Sequence, residues 1–107
     1  MEVRQYEIVL VNLDPTIGSE IRKTRPCVVI SPDEMNKYLQ TIIIAPLICT
    51  LRPYPTRVKI RQAKVKGWVA LDQIRTIDRA RLVKKVGMLT SSEIEFVKAV
   101  IMETYVE

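Results

Sequence analysis

The sequence predicts a mainly β chain folded as a small, strongly bent barrel, with a short internal helix and a C-terminal amphipathic helix. Three observations lead there. Short β-rich runs recur along the chain with turn residues between them. A single sustained helical period appears near the C-terminus, directly behind a capping signal. Finally, 107 residues with a 48% hydrophobic share support one domain, residues 1–107, with a core of modest size. No repeats, linkers or low-complexity segments interrupt it.

Tyr6 to Leu13 is β-rich and opens the fold, and Asp14-Pro15-Thr16 with Gly18 punctuates it as a turn. Cys27 to Ile30 is the expected second strand. Ser31-Pro32-Asp33-Glu34 has the pattern of a Ser N-cap, a Pro at the first helical position and a Glu closing a capping box, for a short helix to about Tyr38. Thr41 to Ala45 is continuously apolar after its first residue, as expected of a strand buried on both faces. Pro46 to Pro55 is expected to be a long connection. Arg57-Val58-Lys59-Ile60-Arg61 alternates strictly, which predicts a half-exposed strand with a basic outer face. Lys64, Lys66 and Gly67 mark a turn, Trp68 to Leu71 another strand, Asp72 to Asp78 a polar segment anchored by Ile74 and Ile77, and Leu82 to Met88 a last strand. Thr90-Ser91-Ser92-Glu93 is a second capping box. Behind it Ile94, Val97, Ile101 and Tyr105 recur at helical spacing, with Phe96 and Val100 widening the apolar face.

The net charge of +5 and a pI near 9.4 favour an acidic partner, either nucleic acid or an acidic protein segment. Histidine is absent, which removes the usual general acid and base and the commonest metal ligand. Two separated cysteines and unclustered carboxylates disfavour a dedicated zinc or magnesium site. Cys27 and Cys49 read as small buried hydrophobes in a reducing compartment. No apolar run is long enough for a membrane span, and the N-terminus lacks a secretory pattern, so a cytoplasmic location is expected.

One stretch resists a purely structural reading. In Gly-Ser-Glu-Ile-Arg-Lys-Thr-Arg-Pro-Cys-Val-Val-Ile-Ser-Pro, from Gly18 to Pro32, a charged cluster runs straight into an apolar strand. A solvated turn needs only polarity there. A site that handles a phosphate needs an Arg held still, and Arg25, just before Pro26 at the mouth of the strand, has a restricted backbone.

Asn12-Leu13-Asp14-Pro15-Thr16, Gly18-Ser19-Glu20, and Thr24-Arg25-Pro26 leading into Val28-Val29-Ile30-Ser31-Pro32 resemble the N-terminal signature of the MazF/PemK (Kid) toxins. Ala45-Pro46-Leu47, Tyr54-Pro55 and Leu71 to Asp78 resemble the family's later blocks, in order, so the resemblance covers nearly the whole chain. It implies an SH3-like barrel of the CcdB/MazF kind that forms a homodimer. It further implies a metal-independent, sequence-specific endoribonuclease acting on single-stranded RNA, with no cofactor. The implied partner is a MazE-like antitoxin that lays an extended acidic segment over the RNA site.

On this resemblance the catalytic candidates are Arg25, Glu20, Ser19, Thr50 and Asp72. Arg25 offers a planar fork of donors to two phosphate oxygens. Glu20 is placed to orient a 2′-OH, pair with Arg25 or read a base edge. Asp72 reads equally as a base or as a buried cap of the turn that follows it. The RNA-binding candidates are Asp14, Thr16, Arg22, Lys23, Arg52, Tyr54, Lys64, Gln73 and Arg75, whose planes and cations suit bases and phosphates.

The chain departs from the family pattern after Ala45-Pro46-Leu47. Many relatives carry a Thr there, often followed by a second hydroxyl residue; here Ile48 and Cys49 precede Thr50. Ser19 stands where some relatives have a His. The hydroxyl next to the reacting phosphate is therefore open between Thr50 and Ser19. Two other readings also stay open: a CcdB-like toxin that acts by binding protein, and a weakly active or inactive RNA-binding member.

Overall fold

The computed structural model describes residues 1–13, 24–49, 55–62 and 65–106. Its strands are β1 (Glu7–Asn12), β2 (Thr24–Val29), β3 (Thr41–Ile48), β4 (Arg57–Arg61), β5 (Lys66–Ala70), β6 (Arg75–Asp78) and β7 (Leu82–Met88). Helix α1 spans Asp33–Tyr38 and helix α2 spans Ser91–Tyr105. The strands form one antiparallel, curled sheet in the order β4-β5-β3-β2-β1-β7, and β6 adds to β3. This is the expected mainly β, barrel-like architecture.

Alternation along the central strands sends side chains to two cores. Ile8, Val28, Ala45, Leu47, Val58, Ile60 and Val69 point to one face, where Val97 of α2 packs. Val9, Val11, Cys27, Val29, Ile42, Ile44 and Ile77 point to the other. The centre of the sheet is thus apolar on both sides, which is why Ile42 to Ala45 shows no polar interruption.

The sequence-based boundaries change in several places, among them Asp72 to Asp78, whose second half is the strand β6. β2 begins at Thr24, so Arg25 and Pro26 are strand residues, opposite Val11 and Leu10 of β1. Pro26 is tolerated because the β2–β3 pairing starts only at Cys27, leaving β2 one-sided at Pro26. β3 continues through Pro46 to Ile48, because Leu47 and Ile48 pair with Val69 and Trp68 of β5. β5 begins at Lys66, and Leu71–Gln73 forms a 3₁₀ turn rather than the strand's end. The expected capping box of α1 does not form. Pro32 is the N-cap, and the Ser31 hydroxyl instead donates to Asn36 Oδ1 and accepts from the Ile43 N–H at 3.1 Å. Serving β3 from beneath leaves Ser31 unable to cap α1.

α2 is capped as the sequence predicts: Thr90 Oγ1 accepts from the Glu93 N–H, and Glu93 Oε1 accepts from the Thr90 N–H at 2.8 Å. Glu93 also accepts from Gln62 Nε2 and from the Arg61 N–H, which locks the helix start to the end of β4. Near the other end, the Tyr105 hydroxyl donates to the Leu71 carbonyl. Phe96 does not widen the buried face; it is 65% exposed. None of the described helices is long and apolar enough to cross a membrane.

Candidate functional site

The second sheet face changes character away from its apolar centre. Arg25 follows the same alternation as Cys27 and Val29, and Arg75 pairs with Ile44, so both arginines project on the Cys27 side. The two are exposed, on either side of the buried Cys27 thiol. Burial pushes that thiol up to about 12, against the pull of the Arg75 and Arg25 charges. Cys27 is a packing residue there, as expected, and both guanidinium groups are near enough to act on its charge.

β3 and β5 extend this face. Ile48, half-buried, closes β3 on the side of Pro46 and Ile44, and its partner Trp68 pairs in turn with Lys59 of β4. β3 lies between β2 and β5, and Ile48 falls beyond the last β2–β3 pair, Cys27 with Pro46. A row therefore crosses the sheet from Ile48 through Trp68 to Lys59, on the face that carries Arg25. Lys66 and Arg61 pair one step further along β5 and β4. Gly67 makes this approach possible. Its φ of +150° disfavours any other residue, and a Cβ there would stand 3.1 Å from the Ile48 carbonyl oxygen.

Asp72 projects from the 3₁₀ turn after β5. Thr56 Oγ1 donates to it at 3.0 Å, and Arg57 contacts both carboxylate oxygens. Partial burial raises its pKa, but the hydrogen bonds from Arg57, its own backbone and Thr56, with the Arg57 charge, hold it below the ordinary carboxylate value. It is not the buried turn cap, one of the two expectations, because its side chain is 36% exposed. Gln73, next in the turn, is exposed.

Of the sequence candidates, Arg25, Asp72, Gln73 and Arg75 are thus described. Asp14, Thr16, Ser19, Glu20, Arg22, Lys23, Thr50, Arg52, Tyr54 and Lys64 lie outside the described residues. Sequence reasoning gave no site role to Trp68, Lys59, Arg61 or Lys66, which the strand pairing brings to one cleft. The strict alternation of β4 was the available signal for its cations, but the partner strand could not be read from spacing. Cys49, expected to be buried, is exposed in that cleft because β3 has ended.

Comparison with known proteins agrees with this architecture. The chain is 36% identical over 97 residues to the Endoribonuclease MazF of Staphylococcus epidermidis, covering 85% of this chain and 81% of that protein. A MazE-MazF crystal structure from Deinococcus radiodurans superposes with a TM-score of 0.83 at 23% identity, covering 96% of this chain and 95% of that one. An endoribonuclease in complex with its cognate antitoxin, from a mycobacterial species, gives a TM-score of 0.81 at 18% identity over 94% of this chain and 92% of that chain. Those two likenesses speak to the fold. Residues 4–105 match the family described as PemK-like, MazF-like toxin of type II toxin-antitoxin system, and the chain belongs to that family.

Proposed function

We propose that this protein is the toxin of a type II toxin–antitoxin system and an endoribonuclease that cuts single-stranded RNA at specific sequences. The observation that carries the reading is that Arg25 and Arg75 project on one sheet face, the face that also bears the exposed cations of β4 and β5. The 36% identity to a protein named as an endoribonuclease supports the reaction class.

In this reaction the 2′ oxygen attacks the adjacent phosphorus and loses its proton. The bond from phosphorus to the 5′ oxygen breaks, and that oxygen takes up a proton. The products are a 2′,3′-cyclic phosphate and a 5′-OH. Arg25 binds two oxygens of the five-coordinate phosphorus through its planar fork, and Arg75 adds a second fixed charge. Each such donor contributes on the order of 3 kcal/mol by analogy with oxyanion sites. Asp72, kept ionised by Arg57, positions the turn that carries Gln73 and Arg75. Glu20 orients the 2′-OH, and Thr50 or Ser19 supplies the hydroxyl that Ile48 lacks.

The protein acts as a homodimer in the cytoplasm, and its antitoxin covers the same cationic face with an acidic extended segment. Complexes of MazE with MazF among the similar structures support the partner. The test is incubation of the purified protein with a long single-stranded RNA in EDTA. Discrete fragments ending in a cyclic phosphate and beginning with a 5′-OH are expected. Intact RNA, or random degradation, would overturn the reading.

A further inference from the structure

Beyond Arg25, a cleft of about 580 Å³ opens between the ends of β3, β4 and β5, walled by Trp68, Gly67, Cys49 and Lys59. Among the described residues its charge is positive: Lys59, Arg61 and Lys66 line it and no acidic residue does. Arg61 and Lys66 stand directly opposite each other on paired strands, an arrangement that costs stability when nothing lies between the charges. Among the described residues neither side chain has an acidic partner; Glu93 meets only the backbone of Arg61. Exposed Lys59 holds its Nζ over the Trp68 ring, 5.5 Å from the centre, a contact that a stacking base would replace. The indole, half-buried, is thus a flat platform beside unneutralised cations.

We propose that this cleft is a nucleotide subsite of the RNA, with a base stacked on Trp68 and an adjoining phosphate between Arg61 and Lys66. The proposal rests on the ribonuclease reading and deepens it. Arg25 of β2 and Trp68 of β5 share one sheet face with β3 between their strands, so the subsite receives a nucleotide beyond the scissile phosphate rather than at it. An aromatic face binds any base, so Trp68 contributes affinity and register along the strand more than base identity. Gly67 fits this role, since its close approach to the Ile48 carbonyl sets the platform against the end of β3.

Trp68 is the only tryptophan of the chain, so its fluorescence reports on this cleft alone. The measurement is a titration with 2′-O-methyl oligouridylate and oligoadenylate, which cannot be cleaved, and with an abasic sugar–phosphate chain of equal length. Both base-carrying strands should quench Trp68, and the abasic chain should bind more weakly without quenching. Trp68→Ala should weaken oligonucleotide binding by roughly tenfold, and Trp68→Phe by much less. Arg61→Ala should weaken the abasic chain as well. If Trp68→Ala fails to fold, quenching in the wild type and the affinity of Trp68→Phe for end-labelled oligonucleotide, read by anisotropy, carry the decision.

Binding with unchanged fluorescence, or with unchanged affinity in Trp68→Ala, would overturn the subsite and leave the ribonuclease reading intact. Quenching without any RNA cleavage by the wild type would instead sink the ribonuclease reading. Quenching by an acidic peptide but by neither oligonucleotide would overturn the subsite and assign the cleft to the antitoxin.

Discussion

Arg57 grips Asp72 at both oxygens, 3.3 Å from Nε to Oδ1 and 3.4 Å from Nη2 to Oδ2. The guanidinium side is nearly buried, whereas the carboxylate side is 36% exposed, so water screens part of the attraction. The pair joins β4 to the turn that precedes Arg75. It fixes the outline of the site.

Asp72→Asn is therefore expected to cost at most about 1 kcal/mol of stability at neutral pH. The folded pKa is lowered, so this contribution is present above the ordinary value of 3.8 and is lost as pH falls through the folded value. The pH–rate profile for RNA cleavage should keep its shape above about pH 5, within what a depressed carboxylate allows. Loss of a limb in that range in Asp72→Asn would make Asp72 the titrating base.

Glu93 makes a sharper stability prediction. Its carboxylate accepts from the Thr90 and Arg61 N–H groups and from Gln62 Nε2, and these bonds outweigh the upward push of its burial to lower its pKa. Glu93→Ala should cost about 2 kcal/mol at neutral pH. The gap between variant and wild type should hold above the ordinary value of 4.5 and close as pH falls through the lowered one. Denaturant midpoints followed with pH measure this. A gap that stays constant into acid would show that the carboxylate's charge is not what holds α2 to β4.

Ile48 closes β3 on the face that carries Arg25, with a branched side chain close in shape to threonine. Ile48→Thr should fold unchanged and raise the cleavage rate by roughly tenfold, as one added hydrogen bond in the transition state would. Thr50→Val should then be nearly silent in that background. An unchanged rate in Ile48→Thr, with activity abolished by Thr50→Val, would assign the hydroxyl to Thr50.

What the sequence disclosed, and what it hid, follows from the range of the interactions involved. The ends of β4 and the Thr90–Glu93 box were legible because alternation and capping are local rules. The continuation of β3 through Pro46 was not, since it depends on β5 pairing with Leu47 and Ile48. Ser31 looked like a helix cap until Asn36 and the Ile43 N–H claimed its hydroxyl. At the site, Arg25 and Arg75 were nameable from the family resemblance. Trp68 was not, because a strand tryptophan reads as core until its neighbour Lys59 is known.

Arg25 carries the central claim, and Arg25→Lys tests it most directly. Lysine keeps the charge on β2 but cannot present the two-pronged fork to the phosphate. With single-stranded RNA in EDTA, kcat/KM should fall by about a hundredfold or more while the thermal midpoint stays within about 2 °C of wild type. Turnover near wild type in a folded Arg25→Lys would contradict the account and remove Arg25 from the reacting centre.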